Sequence, residues 1–301
     1  MAKKKSSGLA GKLLWVLALL LMLSAAVYQR ATGPTYPFRG VFTAGGVENT
    51  YRLIRSDLSI ETNPAARAII PDPGDGAAGT LFWKRYRTSD DFTAVPMNPE
   101  TDEDGEKILV GLVPAQPAAG KVEYYIELFT PEGTTIEIPA DEHVVMRFKD
   151  DVPATILVPH IFMMFFSVLI GIRAGLGAVF APEGIRRMAW IALIGVTFGG
   201  MVLGPIVQKY AFGEYWTGFP NGGDWTDNKV LVLWLAWVVA CAVIGLKPKK
   251  KEGVSRAVVL VASLVMSAAY VIPHSMGGSE LDYSQVDAGV DPSKAIETGR
   301  Q

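Results

Sequence analysis

Apolar residues fall in five long blocks, separated by polar stretches of very unequal length. The blocks are 13–28 (LLWVLALLLMLSAAVY), about 154–172, 188–207, 230–246 and 257–273, and none contains Asp or Glu. The last four approach the ~20 residues that span a bilayer core. Their length and lack of charge predict membrane helices. The polar stretch of about 29–152 has a different period. Thr50–Ser56, Thr80–Thr88, Ile108–Val113, Lys121–Thr130, Thr134–Ile138 and Val144–Phe148 alternate as half-buried strands do, and turn sequences such as Asp72-Pro73-Gly74 and Pro131-Glu132-Gly133 divide them. Six or seven short strands at this spacing predict a β-sandwich.

The predicted fold class is therefore an α-helical membrane bundle, one N-terminal anchor plus four helices, with an inserted all-β sandwich domain. Residues 1–28 form the anchor or a signal peptide, 29–152 the extracytoplasmic sandwich, 153–273 the four-helix bundle, and 274–301 an extracytoplasmic tail, polar after Tyr283 and expected to be mostly disordered. The first block has two readings. Lys3, Lys4, Lys5 and Lys12 followed by a short apolar run and Ser24-Ala25-Ala26 suit a signal peptide cut near Ala26; an uncleaved anchor is the preferred reading. The tracts 71–79 and 98–106 read as exposed loops.

Charge sets the expected orientation. With residue 1 inside, the short loops 180–187 and 247–256 join 1–12 in the cytoplasm, carrying Arg186, Arg187, Lys247, Lys249, Lys250, Lys251 and Arg256 against only Glu183 and Glu252. This satisfies the positive-inside rule. It predicts a multi-pass protein of the bacterial inner membrane, with the β domain and C-terminus on the periplasmic or extracellular side.

Composition narrows the function classes. The 301 residues (32.5 kDa) are 50% hydrophobic and 19% charged, with mean hydropathy +0.25. A net charge of −2 supplies no basic field for nucleic acid. The partners expected are the lipid bilayer and a membrane or periplasmic protein. The single cysteine, Cys241, excludes an intramolecular disulfide, a paired-cysteine zinc site and a C-x-x-C-H haem attachment. No Walker A, GxSxG or HExxH sequence occurs, and neither Ser167 nor Ser275 has an evident base. The pattern favours a protein that is not an enzyme on its own. The spacings Gly171-x-x-x-Gly175, Gly195-x-x-x-Gly199 and Gly200-x-x-x-Gly204 predict close helix approach.

Candidate chemistry gathers at the outer end of the bundle. His160 and His274 each follow a proline, Pro159 and Pro273, on separate spans that run in opposite directions. At 1.5 Å per residue His160 lies ~10 Å below the outer end of its helix, a depth close to that of His274. Pro153 and Pro205 fall at the same end. Prolines free backbone carbonyls that hydrocarbon cannot satisfy, so a polar pocket is expected there. His160 and His274 are candidate ligands for haem b or a metal such as copper, with Met163 and Met164 as softer alternatives. Glu280, Asp282, Glu214, Asp224 and Asp227 are candidate outer-sphere acceptors. The aromatic loop 208–229 also suits an interfacial belt.

The stretch VPAQPAAGKVEYYIELFTPEGTTIEIP (113–139) resembles the end of bacterial immunoglobulin-like or fibronectin-III-like domains. That resemblance implies a spacer or binding module. In helix number and in carrying histidines on separate helices, the last four spans resemble four-helix membrane b-type cytochromes. They offer one ligand pair where that family has two. The resemblance implies at most one haem, near the outer face, and a redox or electron-transfer module. The alternative is a non-catalytic, membrane-anchored accessory subunit whose β domain binds a partner protein.

Overall fold

The computed structural model describes residues 2–246, 252–274 and 276–297, with side chains from residue 8 onward. The lysine-rich loop 247–251 and Ser275 lie outside these residues. Five helical segments are long and apolar enough to cross a membrane: Gly8–Thr32, Ala154–Phe180, Ile185–Phe212, Trp225–Ile244 and Glu252–Val271. The first belongs to α1 (Ala2–Thr32), the second is α2, the fourth α5 and the fifth α6. The third is compound. Helix α3 (Ile185–Val196) widens into a π-helical stretch, Thr197–Leu203, before α4 (Gly204–Phe212). Pro205 lacks the amide an α-helix would use at this point, and the glycines 199, 200 and 204 tolerate the altered backbone.

Helix α2 lies at the centre, against α1, α3 and α6, and α5 packs on α3 and α6. Small residues permit this approach. A Cβ on Gly175 would lie 2.1 Å from Ser263 Oγ of α6, and one on Gly195 would lie 2.2 Å from Ser167 Oγ of α2. The core between them holds Trp237, Met266, Val196 and Ala174, all buried.

Carbonyls at helix ends are satisfied from neighbouring helices, as a medium without water requires. Arg256 donates to Ala178 O and Val179 O at the end of α2, at 2.5 and 2.8 Å. Arg186 does the same for Ile244 O and Gly245 O at the end of α5. At the opposite end, Gln29 of α1 donates to Tyr270 O (2.6 Å) and Ile272 O (3.2 Å), where Pro273 stops α6. Arg173 of α2 lies within the helix bundle. It is 6% exposed, with its guanidinium 5.4 Å from the Trp15 ring centroid.

Between α1 and α2 the chain forms eleven strands. They are β1 (Phe38–Ala44), β2 (Val47–Leu53), β3 (Ser56–Leu58), β4 (Ala65–Pro71), β5 (Ala78–Arg85), β6 (Thr93–Pro96), β7 (Asn98–Thr101), β8 (Lys107–Pro114), β9 (Lys121–Phe129), β10 (Thr135–Ile138) and β11 (Val144–Lys149). They form sheets ordered β1-β2, β4-β8-β7 and β3-β11-β9-β5-β6, with β10 on β9. All six expected strands are present. The tract 98–106, expected as a loop, contributes β7, paired to β8 from Asn98 opposite Val110. Alternate residues of all three sheets meet in one core, including Leu53, Ile70, Leu81, Tyr124, Ile126 and Phe148.

The tail is folded rather than disordered over residues 276–297. It carries the short strands β12 (Glu280–Leu281) and β13 (Ile296–Glu297), paired to each other, with α7 (Tyr283–Asp287) between them. Leu281, Tyr283 and Ala295 form a small core. Tyr283 Oη accepts from Lys121 N at 3.0 Å and donates to Lys121 O at 2.8 Å. Arg85 bridges to Asp287 at 2.7 Å. The tail is thus strapped across the β domain.

Because the β core takes no side chain from the helices, residues 33–150 expressed alone are expected to fold without lipid and to give a far-ultraviolet spectrum dominated by strand. A helical spectrum would contradict this.

Candidate functional site

His160 sits on α2, one residue past Pro159. Its Nδ1 lies 2.9 Å from Gly199 O, a carbonyl of the π-helical stretch that also accepts the Gly204 amide. A carbonyl cannot donate, so Nδ1 carries the proton and the neutral ring keeps its lone pair on Nε2. Sequence depth alone placed His274 near His160, and both line the same cavity.

His274 is held differently. Its Nδ1 is 3.5 Å from Lys229 Nζ, which also donates to Ile272 O at 2.6 Å. An ammonium can only donate, so Nδ1 is the acceptor and Nε2 carries the proton. His274 is exposed at the cavity, yet protein packs densely around the ring. That desolvation, helped by the charge of Lys229 and by His160, pushes its pKa down to about 3. His274 is neutral at pH 7 and presents an N–H where a metal ligand would present a lone pair.

The methionines serve packing. A Cβ on Gly199 would fall 2.9 Å from Met163 Cβ and 3.2 Å from Met164 Sδ, so this pair seats α2 against the π-helical stretch. Met164 lines the cavity and Met163 does not. No group of three or more His, Cys, Asp or Glu suited to a metal ion occurs among the described residues.

The five carboxylates separate into two sets. Asp224 and Asp227 line the cavity wall and also organise it. Asp224, 5% exposed, caps α5 by accepting from Thr226 N (2.7 Å) and takes Thr217 Oγ1 (2.9 Å) and Ser279 N (3.3 Å). Asp227 accepts from Thr217 N (2.7 Å) and Gly218 N (3.0 Å). These bonds knit the 213–224 loop, α5 and the tail together. Glu280 pairs with Lys121, and with Arg87 at 3.5 Å. Asp282 caps α7 through Ser284 N at 2.9 Å. Glu214 is not among the cavity residues. None of the last three lines the cavity of the histidines.

The cavity itself measures about 730 Å³, inside the ~300–1,000 Å³ typical of small-molecule sites. It runs from between α2, α5 and α6 up to the underside of the β domain. Its lower wall is apolar, with Leu157, Ile161, Val168, Val230 and Leu233. Its upper rim is mainly cationic, with Arg30, Arg52, Arg55, Arg147 and Lys149 against Asp151. Tyr270, 8% exposed, also lines the cavity, and its buried Oη has no partner among the described residues.

No known family model and no curated protein matches the chain. The site's geometry must then carry the functional reading. The arginines of the rim were absent from the sequence expectation, although β11 carries a usable signal. In Val144-Val145-Met146-Arg147-Phe148-Lys149, Met146 and Phe148 enter the β core. The two-residue period then turns Arg147 and Lys149 to the other face, just ahead of the first bundle helix.

Proposed function

We propose that the protein is a multi-pass inner-membrane protein that binds an anionic amphiphile in this cavity. The apolar part of the ligand lies between α2, α5 and α6, and its charged group meets the rim of the β domain. One observation carries this reading: a single cavity grades from an apolar wall at the depth of the helices to arginines and lysines at their end. A hydrocarbon chain gains about 0.8 kcal/mol per CH₂ buried from water. Such a ligand enters from lipid, and the rim then selects by charge.

The β domain is read as a two-layer sandwich and the helices as an anchor plus a four-helix bundle. The orientation follows the positive-inside rule, with Arg186 and Arg256 at the cytoplasmic ends of α3 and α6. In whole cells, Asp104→Cys should react with an impermeant maleimide and Glu252→Cys should not, since native Cys241 is buried. The reverse pattern would overturn the orientation.

A second reading keeps a redox role. Haem b is an apolar macrocycle with two carboxylates, and His160, its Nδ1–H fixed on Gly199 O, offers Nε2 as one axial ligand. Purified protein distinguishes the two. Native mass spectrometry from a mild detergent should release a co-purified anionic lipid from a colourless sample. A Soret band abolished by His160→Ala would favour haem. A sample carrying no bound amphiphile of either kind would contradict both.

A further inference from the structure

Arg55 and Arg147 both line the cavity where it meets the β domain. Arg147 of β11 donates its backbone amide to Arg55 O at 3.1 Å, and it pairs with Ser56 across the parallel β3–β11 ladder. Arg147 is only 7% exposed. One terminal nitrogen donates to Ser279 O at 2.7 Å, and its guanidinium carbon lies 3.9 Å from the Phe212 ring centroid. Its Nε has no partner, and neither has Arg55 Nε, although both atoms are buried.

A buried cation without a paired anion is costly. Among the described residues no carboxylate oxygen lies within 4 Å of either arginine. The acids acting on Arg147 from a distance, Asp224 and Glu280, are engaged by Thr217 and Lys121. Burial lowers its pKa to about 10, so it remains a cation at pH 7. The charges nearby are of both signs, with Asp151, Asp224 and Asp227 on the first cavity and Glu280 and Glu297 on the second. Lys149 shares the face of Arg147, and Lys121 and Arg87 lie beyond.

A second cavity of about 410 Å³ reaches the same pair from the other side, past Tyr86, Gly223 and Gly278. Thr35, Arg55 and Arg147 line both spaces. The two arginines are thus common to the walls of a cavity among the helices and of one between the β domain and its tail.

We propose that Arg55 and Arg147 bind a phosphoryl group. On this inference, which rests on the amphiphile reading above, the cavity ligand is a lipid phosphate, and the second chamber holds the polar substituent of that phosphate or admits soluble phosphate esters. Two forks carrying free N–H groups, with further cations around them, suit a tetrahedral anion of several oxygens better than a planar carboxylate satisfied by one fork.

The test uses the full-length protein in phosphatidylcholine nanodiscs, with four probes: dioctanoyl phosphatidic acid, dioctanoylglycerol, octanoate and sn-glycerol 3-phosphate. Phosphatidic acid should bind at least tenfold more tightly than the other two lipids. Arg55→Gln should remove that preference while leaving dioctanoylglycerol binding unchanged. Glycerol phosphate at millimolar concentration should compete, whereas chloride at matched ionic strength should not. Arg147→Lys, which keeps the charge without the fork, should weaken phosphatidic acid binding if Arg147→Gln fails to fold. Equal binding of phosphatidic acid and dioctanoylglycerol, or no effect of Arg55→Gln, would overturn the phosphoryl site and leave the cavity reading standing. Octanoate as tight as phosphatidic acid would also overturn it. Arg55-dependent binding of glycerol phosphate without any lipid would support the arginine site and remove the amphiphile reading. If none of the four binds, both fall.

Discussion

Gly175→Val should destabilise the bundle by about 3 kcal/mol, at the upper end of the cost of overpacking, and lower the midpoint of thermal unfolding by about 8 °C. The added Cβ would sit 2.1 Å from Ser263 Oγ and 2.5 Å from Ser263 Cβ. Rotating the hydroxyl relieves only the first contact, so α2 and α6 must move apart. That displacement reaches the cavity, because α2 and α6 also supply His160 and Tyr270 to its walls. Gly171→Ala should be milder, since its nearest obstacle is the flexible end of Met266. Gly11→Val on α1, with no atom within 4 Å, should change little. Equal stability of the Gly175 and Gly11 variants would show that this seam is not closely packed.

Asp224→Ala has the second largest expected effect. It removes the cap of α5, worth about 1 kcal/mol. It also strips Ser279 N, on a fully buried residue, of its acceptor, while Thr217 Oγ1 keeps Asp227 Oδ2 at 3.4 Å, at about 1–3 kcal/mol for the group left unsatisfied. Destabilisation of about 3 kcal/mol should follow. Ser279 would lose its link to α5, so hydrogen exchange should quicken in 276–297 before it does in the β core. Asp224→Asn keeps one acceptor oxygen for Thr226 N and should recover about a third of the loss. Unchanged exchange in the tail would show that Asp224 does not tie it down.

The sequence made the membrane helices legible, because blocks without Asp or Glu leave little alternative. It also showed the six strands with strong alternation. Strands β3, β6 and β7 are three or four residues long, and their pairing with β11, β5 and β8 defines them. Their local pattern is too short to announce it. The tail failed for a similar reason. Its order rests on Tyr283 holding both backbone atoms of Lys121, 162 positions away, and on β12 meeting β13. The two Pro-His pairs pointed to a shared level of the bundle, and His160 and His274 line one cavity. The bonds that fix their tautomers come from Gly199 and Lys229 on other helices, and no spacing reveals those. Glu280 and Asp282 were placed beside His274 by proximity in sequence, but the chain turns away into the tail and gives them to Lys121 and to α7. Arg55 and Arg147, far apart in the sequence, reach one cavity because β11 pairs with the strand that follows Arg55.

The central claim is that a membrane amphiphile occupies the cavity between the helices and the β domain. Photocrosslinking with phosphatidic acid carrying a diazirine in its acyl chain, followed by peptide mapping of the full-length protein in nanodiscs, tests it directly. The account predicts adducts concentrated on the cavity wall, at Leu157, Ile161, Val230 and Leu233, and suppressed by excess unlabelled phosphatidic acid. Adducts spread without competition over the outward-facing Phe198, Val202, Val239 and Val261, which are exposed on the helix surfaces away from the cavity, would contradict it.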